Sequence, residues 1–355
     1  MRGGEGQRRE LTAGRLGRRA ADGHRRAAAG SARLGAGQPG GPADTAQGAL
    51  PRRRAARRDR LSAAPGWWRR VPSLDVSVQR KTVVADGHRL SYQEAGPADG
   101  PVVVLIHGLA SDSDTWDRAL VPLGDRGVRV LAVDLLGHGQ SDKPASSYLL
   151  DDFAASLEAF FAALGIEQAT VGGHSLGGAI AVQFGYHYPG RVARLILVSA
   201  GGLGREVHPV LRAMAVPGAP LLLGAALRPS LVRLYRRPAL HRALRLTPEN
   251  LANLRRTRGA LGSRDGRSAF FAALRGVIAP SGQRGSFIEM RYLAEHVPTL
   301  LVWAERDGVI PIAHAHAARA HLPGSRLVVF PGGGHEPHRR NAAQFAHAVA
   351  EFVGV

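Results

Sequence analysis

Six short, continuous apolar runs, separated by helical patterns, constrain the fold of this 355-residue chain more than any other feature. Strands that are apolar along their whole length are typical of parallel sheets, because helices cover both faces of such sheets. Regularly spaced apolar side chains at 148–165 and 341–353 predict two of these helices. The alternation therefore predicts an α/β fold. The runs are PVVVLIHG (101–108), VRVLAVD (128–134), QATVGGHS (168–175), RLILVSA (194–200), PTLLVWAE (298–305) and SRLVVFPG (325–332).

Two segments depart from this alternation. Residues 76–84 and 88–96 alternate apolar and polar side chains on either side of Asp86-Gly87, which predicts an antiparallel hairpin ahead of the sheet. Residues 201–290 contain Leu-, Ala- and Arg-rich helical pieces that prolines interrupt, and no clear strand. We therefore predict a helical cap inserted between two strands.

These features divide the chain into four segments. Residues 1–70 are rich in Gly, Ala and Arg and poor in large apolar side chains, so they predict a disordered tail. We interpret this tail as a solvated segment or as the product of a start codon placed too far upstream, since no apolar signal-peptide core is visible. Residues 71–200 and 291–355 are predicted to form the two parts of the core, and residues 201–290 the cap.

The net charge of +19 is regional. Residues 1–70 carry +12 and residues 201–290 carry +11, whereas residues 71–200 carry −5. The basic residues are arginines except for Lys81 and Lys143, which indicates a compositional bias rather than selection for phosphate binding. We therefore predict no nucleic-acid partner.

Other functions are excluded by what the composition lacks. The chain has no cysteine, which rules out disulfides, thiolate metal sites and a cysteine nucleophile. No uninterrupted apolar run reaches the roughly 20 residues that a membrane-spanning helix needs. We expect a cytoplasmic protein, with peripheral contact to a membrane as a variant of that location.

The stretch Gly173-His174-Ser175-Leu176-Gly177 fits the G-x-S-x-G pattern and lies between a predicted strand and a predicted helix. Glycine is required at its two ends because strand and helix approach each other closely across the turn. The strained turn exposes the serine hydroxyl and places the following backbone N–H beside it. Ser175 is therefore a candidate nucleophile.

A serine nucleophile needs a base, and the base needs an acid that orients it. Glu305 and Asp307 follow one predicted strand, and His335 and His338 follow the last one. Because the carboxyl ends of parallel strands meet at one edge of a sheet, an acid and a histidine from these pairs can meet the serine there. We favour Asp307, since Glu305 would lie on the strand itself.

From about residue 76 to the C terminus, the chain resembles the α/β-hydrolase superfamily, in its serine-dependent, esterase- and lipase-like branch with a helical cap. The resemblance implies a mostly parallel eight-stranded sheet with helices on both faces and a cap inserted after the sixth strand. It is carried by HGLASDSDTW (107–116), DLLGHGQSD (134–142), GHSLGG (173–178), ERDGVIP (305–311) and GGGHEPH (332–338).

The resemblance also implies a role for each matching position. The His338 side chain is expected at a helix entry or at the rim of the pocket, and Glu305 outside the triad. The implied catalytic residues are Ser175, Asp307 and His335, the implied oxyanion hole is formed by the N–H groups of Leu109 and Leu176, and the supporting residues are His107 (a structural histidine), Gly108, Gly173 and Gly177.

We call the turn formed by residues 173–177 the elbow. A serine there predicts acyl transfer, because the similar epoxide hydrolases and haloalkane dehalogenases of this fold use aspartate at that position. We expect hydrolysis of a carboxylic ester with a hydrophobic acyl group, without a metal or organic cofactor. The alternatives are a C–C bond hydrolase of ring-cleavage products, a thioesterase, and a catalytically weak ligand-binding member. The apolar segment 208–227 indicates an acyl-chain pocket, a lid that touches lipid, or burial against the core. The positive charge of the predicted cap is suited to attract anionic substrates or a membrane surface.

Overall fold

The computed structural model describes residues 76–221, 261–285, 295–322 and 324–355. The predicted tail at 1–70, and residues 222–260 and 286–290 of the predicted cap, lie outside the described residues. The strands are β1 (Gln79–Ala85), β2 (His88–Ala95), β3 (Val102–Ile106), β4 (Arg129–Val133), β5 (Ala169–His174), β6 (Val192–Val198), β7 (Ile278–Ala279), β8 (Gly282–Gln283), β9 (Thr299–Arg306) and β10 (Arg326–Gly333). The α-helices are α1 (Asp117–Gly124), α2 (Leu150–Ala163), α3 (Leu176–His187), α4 (Pro209–Met214), α5 (Arg264–Val277), α6 (Ala313–His321), α7 (Pro337–Arg340) and α8 (Ala342–Val353).

Eight strands form one mostly parallel sheet, as predicted. Their order is β1-β2-β4-β3-β5-β6-β9-β10, with antiparallel pairing only at β1–β2 and β2–β4. The hairpin β1–β2 turns at Asp86 and Gly87, whose φ angles of 48° and 73° are both positive. Two-residue hairpin turns need positive φ at both positions, which explains the Asp-Gly pair. The carboxyl ends of β3, β5, β6, β9 and β10 consequently lie at one edge of the sheet.

Helices cover both faces of the sheet, which explains why its strands are apolar on both sides. Along β3, Val104 and Ile106 join one core cluster and Val103 and Leu105 join the other. The first cluster includes the aromatic side chains of α2 and α3, and the second includes apolar side chains of α1 and α8. Burying one such side chain stabilises the fold by about 1.5–3 kcal/mol.

The described part of the predicted cap differs from the sequence prediction in one respect. It contains α4 and α5, but also the short hairpin β7–β8, where no strand was expected. Gln283 N–H donates to the Arg205 carbonyl, and Arg284 N–H donates to the Val277 carbonyl, so the hairpin is fixed to the chain that leaves β6 and to the end of α5. Each strand of this hairpin has two residues, which is too short for an alternating pattern to reveal.

No helix in the described ranges combines the length and the apolar character that crossing a membrane requires.

Candidate active site

Ser175 lies between β5 and α3 in a strained backbone conformation, with φ 54° and ψ −116°. Such a conformation is unfavourable for a residue with a side chain and persists only where the surroundings impose it. Three strong backbone hydrogen bonds do so here. Ser175 N–H donates to the Val198 carbonyl at 3.0 Å, and the Ser175 carbonyl accepts from Gly178 at 3.0 Å and from Gly201 at 2.9 Å.

The glycines of the elbow allow backbone segments to touch. A Cβ atom on Gly173 would lie 2.0 Å from the Gly177 carbonyl oxygen, and a Cβ atom on Gly177 would lie 2.3 Å from the Ile106 carbonyl oxygen. Backbone atoms cannot move aside as a flexible side chain can. Strand β5, helix α3 and the end of β3 therefore require glycine at both positions.

Asp307 and His335 are brought together at the same sheet edge, just past β9 and β10. The Nδ1 atom of His335 lies 2.9 Å from Oδ2 and 3.1 Å from Oδ1 of Asp307. Because a carboxylate only accepts hydrogen bonds, Nδ1 carries the proton and Nε2 is left free to accept one. Among the described residues, no hydrogen bond links Ser175 Oγ to His335. Such bonds often form only once substrate is bound.

The Asp307 carboxylate is held in a fixed orientation. Its Oδ1 atom accepts hydrogen bonds from the N–H groups of Val309 (2.8 Å) and Ile310 (3.1 Å). Burial alone would raise the pKa of Asp307, but the hydrogen bond and charge of His335 and the Val309 N–H hold that pKa below its usual value. The acid is therefore ionised where it meets the imidazole.

The two alternative residues take different positions. Glu305 is exposed on β9, where its Oε2 atom accepts a long hydrogen bond of 3.4 Å from Gly332 N–H. Of the two expected positions for His338, the structure shows the helix entry, on the short helix α7, and not the rim of the cavity beside Ser175. The His338 side chain is fully buried, with Nε2 at 3.1 Å from Thr115 Oγ1 and its ring 4.2 Å from that of Trp116. Two of its aromatic neighbours, Trp116 and His174, lie far away in the sequence, so its burial could not be predicted.

The loop after β3 lies against the elbow. A Cβ atom on Gly108 would lie 3.2 Å from Ser175 Cβ, so glycine lets this loop approach the serine closely. His107 fixes the loop: its Nδ1–H donates to the Gly108 carbonyl (2.8 Å) and its Nε2 accepts from Leu135 N–H (3.1 Å). Burial lowers the pKa of His107, and the negative charge of Asp134 does not reverse the shift. His107 is therefore a neutral structural histidine.

Ser175 opens into an apolar cavity of about 260 Å³. Leu109 and Leu176, the residues predicted to supply the oxyanion hole, border this cavity together with the serine. Arg284, which is exposed, is the one charged side chain among the described lining residues. The remaining lining comprises Leu150, Ala179, Gly201, Gly202, Val207, Leu211, Gly276, Val277, Ile278, Gln283, Gly285 and Ile310.

The described residues contain no group of three or more His, Asp or Glu side chains placed to share a metal ion.

The family model for the α/β-hydrolase fold matches residues 101–341. The chain is 38% identical over 294 residues to an uncharacterised protein of Mycobacterium tuberculosis, covering 79% of this chain and 83% of that protein. It is 27% identical over 271 residues to Lipase 3 of Moraxella, covering 74% and 80%. Its structure is similar to that of a meta-cleavage product hydrolase from Pseudomonas fluorescens, with a TM-score of 0.60, 25% identity, and coverage of 79% and 98%.

The strand order, the geometry of the elbow and these similarities all point to the same fold family. The chain belongs to the α/β-hydrolase family, and this membership supports a hydrolase activity.

Proposed function

We propose that the protein is a serine hydrolase that cleaves a carboxylic ester with a hydrophobic acyl group through an acyl-enzyme. The observation that carries the proposal is the hydrogen bond between His335 and the buried Asp307, at the same sheet edge as the strained Ser175. This bond leaves Nε2 of His335 as a proton acceptor. The apolar cavity beside the serine supports a hydrophobic acyl group.

The proposed reaction has two halves. Ser175 Oγ attacks the ester carbonyl carbon while its proton passes to Nε2 of His335, and Asp307 stabilises the resulting imidazolium. The tetrahedral intermediate then collapses, and the departing alkoxide takes the proton from His335. In the second half a water molecule gives a proton to His335 and attacks the acyl carbon. The second tetrahedral intermediate then collapses, the acid leaves, and His335 returns the proton to Ser175 Oγ.

The negative oxygen of each tetrahedral intermediate needs hydrogen-bond donors. The backbone N–H groups of Leu109 and Leu176 are the donors that we propose, since both residues border the cavity with Ser175. Leu176 is the first residue of α3, and the first N–H groups of a helix have no partner within it. Removing one such donor typically lowers the rate by about 10²–10³-fold.

A second function, C–C bond hydrolysis of a ring-cleavage product, is favoured by Arg284. Its positive charge at the apolar cavity could pair with a substrate carboxylate. The similarity to the Pseudomonas fluorescens hydrolase supports the same alternative. A thioester would be cleaved by the steps that we propose for an ester.

One substrate panel distinguishes these functions. The full-length protein would be assayed on p-nitrophenyl esters from acetyl to dodecanoyl, on acyl thioesters, and on a ring-cleavage dienone that carries a carboxylate. We expect ester turnover that improves with chain length and is lost in Ser175→Ala. If the protein turns over the dienone and none of the esters, and if Arg284→Gln abolishes that turnover, the function is C–C bond hydrolysis and not ester hydrolysis. Undiminished turnover in Ser175→Ala would contradict both.

A further inference from the structure

His174, the last residue of β5, is joined directly to the loop that carries His335. Its Nε2 atom lies 2.7 Å from the backbone carbonyl oxygen of His335, which is 161 residues away in the sequence. A carbonyl oxygen only accepts hydrogen bonds, so the imidazole of His174 carries a proton on Nε2. One hydrogen bond therefore connects the residue before Ser175 to the backbone of His335.

The His174 ring is fixed by its neighbours. Its centroid lies 4.6 Å from that of His335 and 4.8 Å from that of His338, which in turn lies against Trp116. On another side, a Cβ atom on Gly108 would lie 3.0 Å from Nδ1 of His174. The side chain thus lies where the elbow, the loop after β3 and the loop after β10 meet.

Among the described residues, the His174 imidazole makes one hydrogen bond. Nδ1 is buried and has no hydrogen-bond partner among the described residues, so the bond to the His335 carbonyl is the one that the ring makes there. Burial and the charge of His335 lower the pKa of His174 to about 3, although the bond to the His335 carbonyl and the charge of Asp307 oppose this. The nearby His107 adds to the lowering. His174 therefore stays neutral when His335 takes up a proton.

We propose that His174 is a positioning residue that holds the His335 backbone against the elbow and thereby sets the distance between the His335 imidazole and Ser175. The inference rests on the proposed serine-hydrolase function. Asp307 fixes the orientation of the His335 ring through Nδ1, and His174 fixes the backbone from which that ring projects. The base is thus restrained at two points.

Three variants separate the hydrogen bond from the packing of the ring. In His174→Gln the side-chain amide nitrogen reaches about as far as Nε2, so the donor is kept. His174→Met has nearly the same shape as glutamine but no donor. His174→Asn keeps a neutral amide whose nitrogen reaches only as far as Nδ1, away from the His335 carbonyl. Asparagine therefore tests the donor position even if methionine impairs folding.

The expected result is a difference in kcat without a matching difference in KM. A displacement of about 1 Å in a reacting group can lower the rate by about 10²-fold, so we expect kcat to fall about 10–100-fold in the Met and Asn variants. The Gln variant should stay within about threefold of the parent protein, and KM should change little in all three. Equal rates in the Gln and Met variants, whether both normal or both impaired, would overturn the proposal.

Two readouts separate this proposal from the proposed function. The rate at which a fluorophosphonate labels Ser175 requires no knowledge of the natural substrate, and it should follow the same order, Gln above Met and Asn. Ester turnover that survives in Ser175→Ala would refute the serine mechanism instead. Even in that case, crystal structures of the Gln and Met variants test the role of His174. We expect the His335 backbone to be unchanged in the Gln variant and displaced in the Met variant. An undisplaced backbone with Met would overturn it.

Discussion

The Nδ1 atom of His335 lies 2.9 Å from Oδ2 of Asp307, whose side chain has no exposed surface. Two backbone N–H groups, those of Val309 and Ile310, bind the same carboxylate. The acid can therefore rotate little. Its contact with the imidazole fixes which nitrogen of His335 carries the proton, and so which nitrogen can accept one from a nucleophile.

Asp307→Asn should abolish most of the activity and leave the fold intact. The amide oxygen can still accept from Val309 and Ile310, but the amide nitrogen would oppose the Nδ1–H of His335 and favour the wrong tautomer. The corresponding change in serine proteases lowers kcat by about 10⁴-fold, and we expect a loss of about 10³–10⁴-fold here. Glu305→Gln, an exposed change on β9, is the matched control and should keep normal kcat. Equal losses in the two variants would contradict the role of Asp307.

Stability should fall as the pH drops below about 6.5, because several histidines are buried in the neutral form. Burial, and next the neighbouring imidazole of His107, lower the pKa of His138 to about 3, and the pKa of His174 is also about 3. Between that value and the unfolded pKa of about 6.5, the unfolded chain binds protons that the folded chain does not, so each such histidine contributes a slope of about 1.4 kcal/mol per pH unit. Urea unfolding between about pH 7.5 and pH 5 measures the slope.

His138→Phe tests this assignment, since it should reduce the slope of unfolding free energy against pH by about 1.4 kcal/mol per unit. Val216→Phe is the control, because it adds the same ring at an exposed position, removes no titratable group and should leave the slope unchanged. A slope that is the same in the His138 variant and the parent protein would contradict the burial of a neutral imidazole.

Gly177→Ala should destabilise the protein by about 1–3 kcal/mol or more and reduce turnover, because the added methyl group meets the Ile106 carbonyl oxygen. Gly190→Ala is the matched control: a Cβ atom there meets no atom within 4 Å. Thermal unfolding of both variants and their kcat values check the prediction. A Gly177 variant as stable and active as the Gly190 variant would contradict the close contact of α3 and β3.

Val277→Trp should shorten the preferred acyl chain, because Val277 lines the cavity beside Ser175. Each buried methylene contributes about 0.8 kcal/mol, so kcat/KM should rise about fourfold per carbon until the cavity is filled. In the variant this rise should stop at a shorter chain, while acetyl esters are cleaved normally. Val216→Trp, an exposed change in the predicted cap, should leave the chain-length profile unchanged. If the parent protein and the two Trp variants share the same dependence of kcat/KM on chain length, the acyl chain does not bind in this cavity.

The sequence predicted the features that depend on local pattern. Apolar runs gave the strands, and the Asp86-Gly87 turn gave the leading hairpin, because both are encoded within a few residues. The elbow at Ser175 was equally predictable, because its glycines are needed where elements adjacent in the sequence approach each other closely. Asp307 and His335 could be predicted as the acid and the base that act with Ser175, because the carboxyl ends of the strands in a parallel sheet meet at one edge.

Features that depend on distant neighbours could not be predicted. Gly172 has no explanation in its own segment, but a Cβ atom there would lie 2.8 Å from a side-chain carbon of Leu105 on the adjacent strand. The bond from His174 to the His335 carbonyl joins segments 161 residues apart, and no periodic pattern encodes it. A histidine before Ser175 gives no local signal of what it binds.

The proposed mechanism requires that Ser175 form a covalent acyl-enzyme with the help of His335. Mass spectrometry of the intact protein, after rapid mixing with a chromogenic ester and acid quenching, measures this directly. We predict an added acyl mass that maps to the peptide containing Ser175, is absent in Ser175→Ala, and forms more slowly in His335→Ala. An acyl group on another residue, or ester turnover that persists undiminished in Ser175→Ala, would contradict this mechanism.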